Sequence, residues 1–519
     1  MCSPADPPSS KGRFLLIPLA LAQNFLAGGL FFGWASISST LLLDKNGCGL
    51  TPDQVGLIFT LSTSMSFSSP LFLGLILDMH GPRLTSFLSN LIVASGLFLF
   101  STSTSFTTYL VANLLIAAGG PGVQNSLIHL GHILPNRRAL LTSCITGAFS
   151  LSFTVYALFD YLWSEGYPWR MLFSTYGAVV FASSLASLAF YPDVSYDSVP
   201  SKPSTGAPTE FTPLTARIQP PSPEPLKVFQ NSFAKQFRAP PNSYLRPNPS
   251  GALSTHRSFV LSSKALQTGD LTNVSVKDSP FWSQLFSHQF FNVLMFFTLS
   301  AFWANFTIGS VTLILSDLNV PDVGYMGREF SVITGMGVLG MPLVGYMLDK
   351  HPRQVTAVVT LLLGMGYAVS FLYSLFPLAF WMYSLHRAFL FTYFFTALPQ
   401  VLGFKYFGIL AGVAFLVAGV AQLGIKAVVD YGKGTCHLVD GDAGPDCDRG
   451  NWGVVLSLHW LTLAACLSLP VVDHIAQRKE AQAREAVFGT PVFGSKRPTR
   501  KKPLTPIRGG DKEEEEEEE

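Results

Sequence analysis

The chain alternates long apolar runs with short polar breaks. Two apolar blocks, 14–191 and 289–472, are separated by a polar linker at 192–288 and flanked by polar ends at 1–13 and 473–519. The breaks cut the first block into runs at about 14–40, 54–77, 84–102, 106–134, 139–163 and 170–191. They cut the second into runs at about 289–315, 329–348, 354–374, 377–404, 407–430 and 452–472. A helix that crosses a bilayer needs about 20 mostly apolar residues, and these runs are of that length. The ten-residue alternation of a membrane strand is absent. Backbone in lipid must satisfy its own hydrogen bonds, which leaves helices. The expected fold is all-α: a polytopic membrane protein with twelve transmembrane helices. The first run, about 25 residues, exceeds the roughly 7–15 of a signal peptide and ends in no Ala-x-Ala site.

Composition agrees with that pattern. Hydrophobic residues make up 48% of the 519 and charged residues only 13%, with 43 Phe. A soluble chain carries about 25% charged residues, so a soluble enzyme and a disordered protein are both excluded. The net charge of +2 gives no reason to expect a nucleic-acid partner. Walker, His-Glu-x-x-His and Gly-x-Ser-x-Gly motifs are absent, so no enzymatic activity and no cofactor are expected. His129 and His132 share a helix face without a carboxylate or Cys nearby, too few donors for a metal. Gly335, Gly337 and Gly340 match G-x-G-x-x-G, but they sit inside an apolar run and follow no strand. They read as a helix-packing face, not a dinucleotide loop.

Lys and Arg set the expected orientation. With both chain ends in the cytoplasm, 27 of them fall inside, 5 outside and 2, Arg387 and Lys426, within spans. Without the linker and the tail the bias is still 8 to 5. The positive-inside rule favours cytoplasmic termini and an even number of spans.

The two blocks repeat each other. The second run ends Gly74-Leu75-Ile76-Leu77-Asp78-Met79-His80-Gly81-Pro82-Arg83, and the eighth ends Gly345-Tyr346-Met347-Leu348-Asp349-Lys350-His351-Pro352-Arg353. Both read G-x-x-x-D with a nearby Arg, at matching places in pseudo-symmetric six-helix halves. Parallel repeats of this kind are a transporter architecture. Glycine permits close helix approach. Asp at the helix end and the following Arg can pair with each other or with a neighbouring helix terminus, and such a pair can latch one conformation and release the other. Gly74, Asp78, Gly81, Arg83, Gly345, Asp349 and Arg353 are therefore candidate gating residues; ordinary interfacial charges at helix ends are the alternative. The second copy differs, with Pro352 in place of a glycine and Arg353 one residue early.

With this doubled element the chain resembles the major facilitator superfamily. Four further fragments, Gly29–Trp34, Leu57–Leu61, Asn305–Ser310 and Arg387–Phe391 followed by Phe407-Gly408, resemble solute carrier family 43. That is the large-neutral-amino-acid transporter-like branch, with its apicomplexan amino acid transporter relatives. The resemblance implies the major facilitator fold and amino acid transport, with a nucleobase carrier also in the family. It places the site between the halves, lined by the first, fourth, seventh and tenth spans.

Charged and polar groups in those spans are the candidates for binding a solute. Arg387 lies about ten residues into the tenth run, where an unpaired Arg costs about 2.5–3.5 kcal/mol. It suits a solute carboxylate; a structural pair, for instance with Asp160, is the alternative. Asn24, Gly28 and Gly29 on the first run, Gln124 and Asn125 after the Gly119–Gly122 cluster, and Asn305 on the seventh complete the set. Helix packing or helix–helix hydrogen bonding is the alternative for each. Lys426 has Asp430 four residues on, the spacing of an intrahelical ion pair. The in-span acids Asp160, Glu329 and Asp430 lie near outer ends, which favours uniport or exchange over proton coupling and disfavours a strongly cationic solute. The expected activity is alternating-access transport of a large neutral or aromatic amino acid at the plasma membrane by a monomer. A cationic amino acid, a nucleobase or another small metabolite is the alternative cargo. Cys436 and Cys447, in the expected outer loop, can form a disulfide worth about 3 kcal/mol in the chain-entropy model, with Cys48 as the competing partner. The Pro/Ser-rich linker reads as disordered. The tail pairs a basic cluster at 496–502 with seven Glu at 513–519.

Overall fold

The computed structural model describes residues 10–128, 130, 138–192, 279–403, 406–433 and 450–488. Most of the linker, the chain ends and the Cys436–Cys447 loop lie outside these residues. The first half is built from α1 (Leu16–Gly28), α2 (Leu30–Ser38), α3 (Pro52–Leu77), α4 (Met79–Thr102), α5 (Phe106–Ile128), α6 (Cys144–Ser164) and α7 (Trp169–Phe190). The second comprises α8 (His288–Asp317), α9 (Val323–Gly335), α10 (Met341–Lys350), α11 (Arg353–Leu372), α12 (Phe376–Leu402), α13 (Phe407–Lys433) and α14 (Trp452–Arg478).

Among the described residues nine helices are long and apolar enough to cross a membrane, or ten if the bent pair α1–α2 is one span. The sequence pattern led to an expectation of twelve. The two other places are filled by helices that fall short of this test. A 3-10 turn at Met336–Gly340 divides α9 from α10, and α12 carries His386 and Arg387 in its middle. The last helix also differs from expectation: it continues past residue 472 as far as Phe488, into what reads as tail.

Local chemistry fixes the helix starts. Thr51 accepts from the Gln54 amide while the Gln54 side chain accepts from the Thr51 amide, and Pro52 takes the first helical position. Such a box satisfies two donors that a helix start leaves free. Ser287 and Asp322 are simpler caps: their side chains accept from the Phe290 and Tyr325 amides at the starts of α8 and α9. Near the start of α4 the helical backbone is broken at Gly81, whose φ of +78° lies where only glycine is unstrained.

The halves meet along three seams: α2 against α8 and α9, α6 against α9 and α10, and α3 against α13. Small residues let these backbones approach, as membrane helices require. A Cβ on Gly327 would lie 2.6 Å from the Ala35 carbonyl oxygen, and one on Gly419 would lie 3.0 Å from that of Ser64. Gly335 abuts Thr154, and a Cβ on Gly337 would lie 2.7 Å from Ser384 Oγ. The G-x-G-x-x-G stretch is thus a packing face.

Candidate functional site

The first span is broken. Residues Asn24–Gly28 form a π-helical turn, and α1 meets α2 at a 52° bend around Gly29. π-turns widen a helix locally and are frequent at functional sites. Gly28 and Gly29 serve packing here. A Cβ on Gly29 would strike the Phe149 carbonyl and the Phe153 ring, and the Gly28 carbonyl lies against Gly120. Asn24 is buried; its Nδ2 donates to the Ile145 carbonyl at 2.6 Å and its Oδ1 has no partner.

Beside this bend a cavity of about 60 Å³ lies between the halves. A water needs roughly 10–15 Å³ by the same measure, so this conformation holds a small solute and must widen for a larger one. The walls are Phe32, Phe67, Phe149, Phe153, Phe391, Phe395 and Phe415, with Pro70, Pro121 and Met341. Ser66, Gln124, Asn125, Thr146 and Ser150 supply neutral polar groups, and Arg387 is the charged residue among the described lining.

Arg387 is 5% exposed. Its guanidinium carbon lies 4.3 Å from the Phe32 ring centre, 5.1 Å from that of Phe391 and 5.2 Å from that of Phe153. Aromatic faces stabilise a cation in place of water, by about 0.5–2 kcal/mol each. Nη1 donates to Asn305 Oδ1 at 3.2 Å, and the Tyr383 hydroxyl lies alongside while donating to the Ala304 carbonyl. Nη2 has no hydrogen-bond partner, and neither has Asn305 Nδ2. Among the described residues no carboxylate pairs with Arg387. Asp160, the structural partner considered from sequence, is bound elsewhere. Buried polar atoms are nearly always bonded, so a free guanidinium nitrogen beside a cavity marks a place for an acceptor. Gln124 Oε1, also without a partner, offers an acceptor in the same cavity.

The structure therefore brings Arg387, Asn305, Gln124 and Asn125 to the cavity or its edge. Asn24, Gly28 and Gly29 stand behind it in the bend. Sequence reasoning did not identify the aromatic cradle. Its signal was present: Tyr383 and Phe391 sit four residues either side of Arg387, on one helix face.

One end of the molecule is closed across the halves. Arg328 on α9 pairs with Asp160 on α6 at 3.3 Å, and Thr40 donates to the same carboxylate. Ser331 donates to the Gly33 carbonyl, Ser38 bonds Thr312, and Lys426 and Lys433 of α13 approach Asp53 of α3. Lys426 also makes the expected pair with Asp430, at 2.6 Å. Trp34 is 1% exposed and packed on Phe31 and Phe59.

The cavity lies from the middle of the bundle toward the opposite end, where the doubled motif sits. A Cβ on Gly74 or Gly345 would meet open space, so the close approach expected of them is not made. Arg83 donates through Nε to the Tyr191 carbonyl, and the Tyr191 hydroxyl donates to Gln23. Arg353 makes a two-point pair with Asp473 at 3.0 and 2.6 Å, joined by Gln354 at 2.7 Å. Each Arg thus fastens the start of one helix to the last helix of its own half. Of the two partners open to Arg353 from the sequence, Asp349 or a neighbouring helix terminus, the structure shows the second: the extension of the last helix past residue 472 supplies Asp473. The side chains of Asp78 and Asp349, and both Cys436 and Cys447, lie outside the described residues. Cys48 is a free thiol.

A Major Facilitator Superfamily model matches residues 24–425. Protein FMP42 of Saccharomyces cerevisiae is 25% identical over 207 residues, 36% of this chain and 41% of that protein's length. A crystal structure of peptide transporter POT in complex with sulfate superposes with a TM-score of 0.57 at 13% identity, covering 91% of this chain and 95% of that one. A variant of the nucleoside transporter NupG gives 0.53 at 10% identity, covering 89% and 99%. At these identities the superpositions speak for the fold alone.

Proposed function

The chain belongs to the major facilitator superfamily and is a membrane transporter; on that premise we propose that it moves amino acids, large neutral or aromatic ones, by alternating access. The observation that carries the reading is Arg387, a buried guanidinium with a free nitrogen facing an aromatic cavity. A solute carboxylate completes its hydrogen bonds and neutralises a charge held out of water. Gln124 Oε1 and Asn125 are suited to the ammonium, and the Phe rings to an apolar side chain. The resemblance to solute carrier family 43 points the same way. A cationic side chain is disfavoured, since it would enter beside Arg387 with no described acid to receive it.

In this proposal the chain crosses the membrane twelve times, with α9–α10 as one span, α12 as another and α1–α2 as the first. The termini are cytoplasmic, and a monomer at the plasma membrane is the working unit. The Asp160–Arg328 end is then extracellular and shut, so the conformation is inward-facing. Opening the outer end requires that pair to part while the motif end closes. Solute movement needs no coupling through an acid in the cavity, which favours uniport or exchange.

A second reading, a nucleobase or other small metabolite, is favoured by one feature. Two amides beside aromatic walls also suit a planar heterocycle. Uptake of labelled phenylalanine in cells lacking their own carriers, competed by each of the twenty amino acids and by uracil and adenine, separates the two. Competition by neutral amino acids alone supports the first reading; competition by the bases alone overturns it.

A further inference from the structure

The charges around the cavity do not balance. Arg387 is the charged residue of the described lining, and an arginine stays protonated in a protein. Acids of the described spans are engaged elsewhere. Asp160 is held by Arg328 and Thr40, Asp430 by Lys426 and Asp473 by Arg353, while Asp317 accepts from the Trp452 indole. The polar remainder of the lining is neutral: the amides of Gln124 and Asn125 and the hydroxyls of Ser66, Thr146 and Ser150. Arg387 Nη1 is bonded to Asn305 Oδ1 at 3.2 Å, but Arg387 Nη2 and Asn305 Nδ2 have no partner. What this place lacks is an acceptor that carries negative charge.

We propose that the site also carries aromatic monocarboxylates with no ammonium group, such as aryl 2-oxo acids, and binds them more tightly than the corresponding amino acids. The inference rests on the reading of Arg387 as a carboxylate anchor. It adds a second class of cargo to that site and leaves the mode of transport unchanged.

The physical basis is net charge. A zwitterion brings none, so the occupied cavity keeps the +1 of Arg387. Its ammonium stands near the guanidinium with only neutral oxygens among the described lining to receive it. A monocarboxylate brings −1, and the occupied cavity is neutral. A charge held out of water is costly unless it is paired. At the effective dielectric of a protein, about 20, like charges within about 10 Å of each other weaken binding by about tenfold or more. The rings of Phe32, Phe391 and Phe153 already serve one cation, at 4.3, 5.1 and 5.2 Å from the guanidinium carbon. Nor does the lining require an ammonium. An amide donates as well as accepts, so Gln124 or Asn125 can turn an N–H to a keto oxygen as well as an oxygen to an ammonium. The aryl group lies among the Phe walls in either case.

The test uses the full chain in liposomes at a pH of about 7.5, where both probes carry an ionised carboxylate. Counterflow is measured with labelled phenylpyruvate, and in a parallel series with labelled phenylalanine; protein-free liposomes give the background. The proposal expects phenylpyruvate to accumulate transiently, with half-saturation about tenfold below that of phenylalanine. 3-Phenylpropionate should compete, and 3-phenylpropionamide, which lacks the charge, should not. Gln124→Glu adds an acid to the cavity, so the ratio of phenylpyruvate to phenylalanine flux should fall about tenfold. That ratio is internal to each preparation, and a general loss of folded protein does not mimic its change. Three results overturn this inference and leave the amino acid reading intact: phenylalanine exchange without phenylpyruvate exchange, half-saturation by phenylpyruvate no lower than by phenylalanine, or an unmoved ratio in Gln124→Glu. Phenylpyruvate exchange without phenylalanine exchange overturns the amino acid cargo and leaves the anchor and this inference standing. Equal competition by the amide, or exchange of neither probe, overturns both.

Discussion

The closed end of the molecule gives a prediction that can be worked through. Asp160 and Arg328 come from different halves, with side chains 3% and 27% exposed. Arg328→Gln leaves the buried carboxylate with Thr40 as its remaining hydrogen-bond donor. Removing one partner of a fully buried pair costs about 3–5 kcal/mol. Partial exposure of Arg328 and the retained Thr40 bond lower this to about 2 kcal/mol, or about a 30-fold shift in population toward the state opened at this end. The exposed approaches of Lys426 and Lys433 to Asp53 add little. Spin labels on Lys45→Cys and Leu318→Cys, in a background without other reactive cysteines, report the separation of the halves there. The expected result is a longer distance dominating in Arg328→Gln. The double variant Asp160→Asn/Arg328→Gln should open less than the sum of its single changes, because the two act through one contact. Unchanged distances in Arg328→Gln, or strictly additive effects in the double variant, would falsify the assignment of this pair as a latch.

Other changes have defined outcomes. Gly29→Val sets a branched side chain against the Phe149 carbonyl and the Phe153 ring; it should abolish a monodisperse peak on size exclusion, whereas Gly74→Ala and Gly345→Ala, which meet open space, should leave it unchanged. Arg353→Ala breaks a two-point pair inside one half and leaves Asp473 a carboxylate with only Gln354 and Gln477 as described donors, so it should lower stability by about 2 kcal/mol and be visible as a drop in Tm; the distance at the Lys45–Leu318 end should not move. Cys48, in the loop before α3, has its thiol pushed up to about 12, mainly by burial. A raised value means the reactive thiolate is scarce below it. Alkylation of Cys48 by a maleimide should therefore be slow at neutral pH and rise about tenfold per pH unit toward alkaline conditions; a rate independent of pH would contradict this.

The helices were legible because their signal is local. Apolar runs of the required length need no knowledge of neighbours. At the eighth and tenth runs the described helices fall short of a span's length and hydropathy, because α9–α10 is split by its glycines and α12 is loaded with His386 and Arg387. Arg387 and Asn305 were identified one at a time as polar groups in apolar spans, and they prove to touch. What stayed hidden depends on pairing between distant segments. Asp160 and Arg328 are 168 positions apart in sequence, and each reads alone as an ordinary charge near a helix end. Gly28 and Gly29 looked like exposed backbone, yet they accommodate Phe149, Phe153 and Gly120, whose approach no single-segment pattern encodes.

The central claim is that Arg387 holds a solute carboxylate in a cavity that faces each side of the membrane in turn. Counterflow tests it most directly: liposomes loaded with unlabelled phenylalanine should transiently accumulate the labelled form when they contain the native chain. Arg387→Gln of equal monodispersity should show none. Accumulation that persists in Arg387→Gln, or native protein that exchanges nothing, contradicts the account.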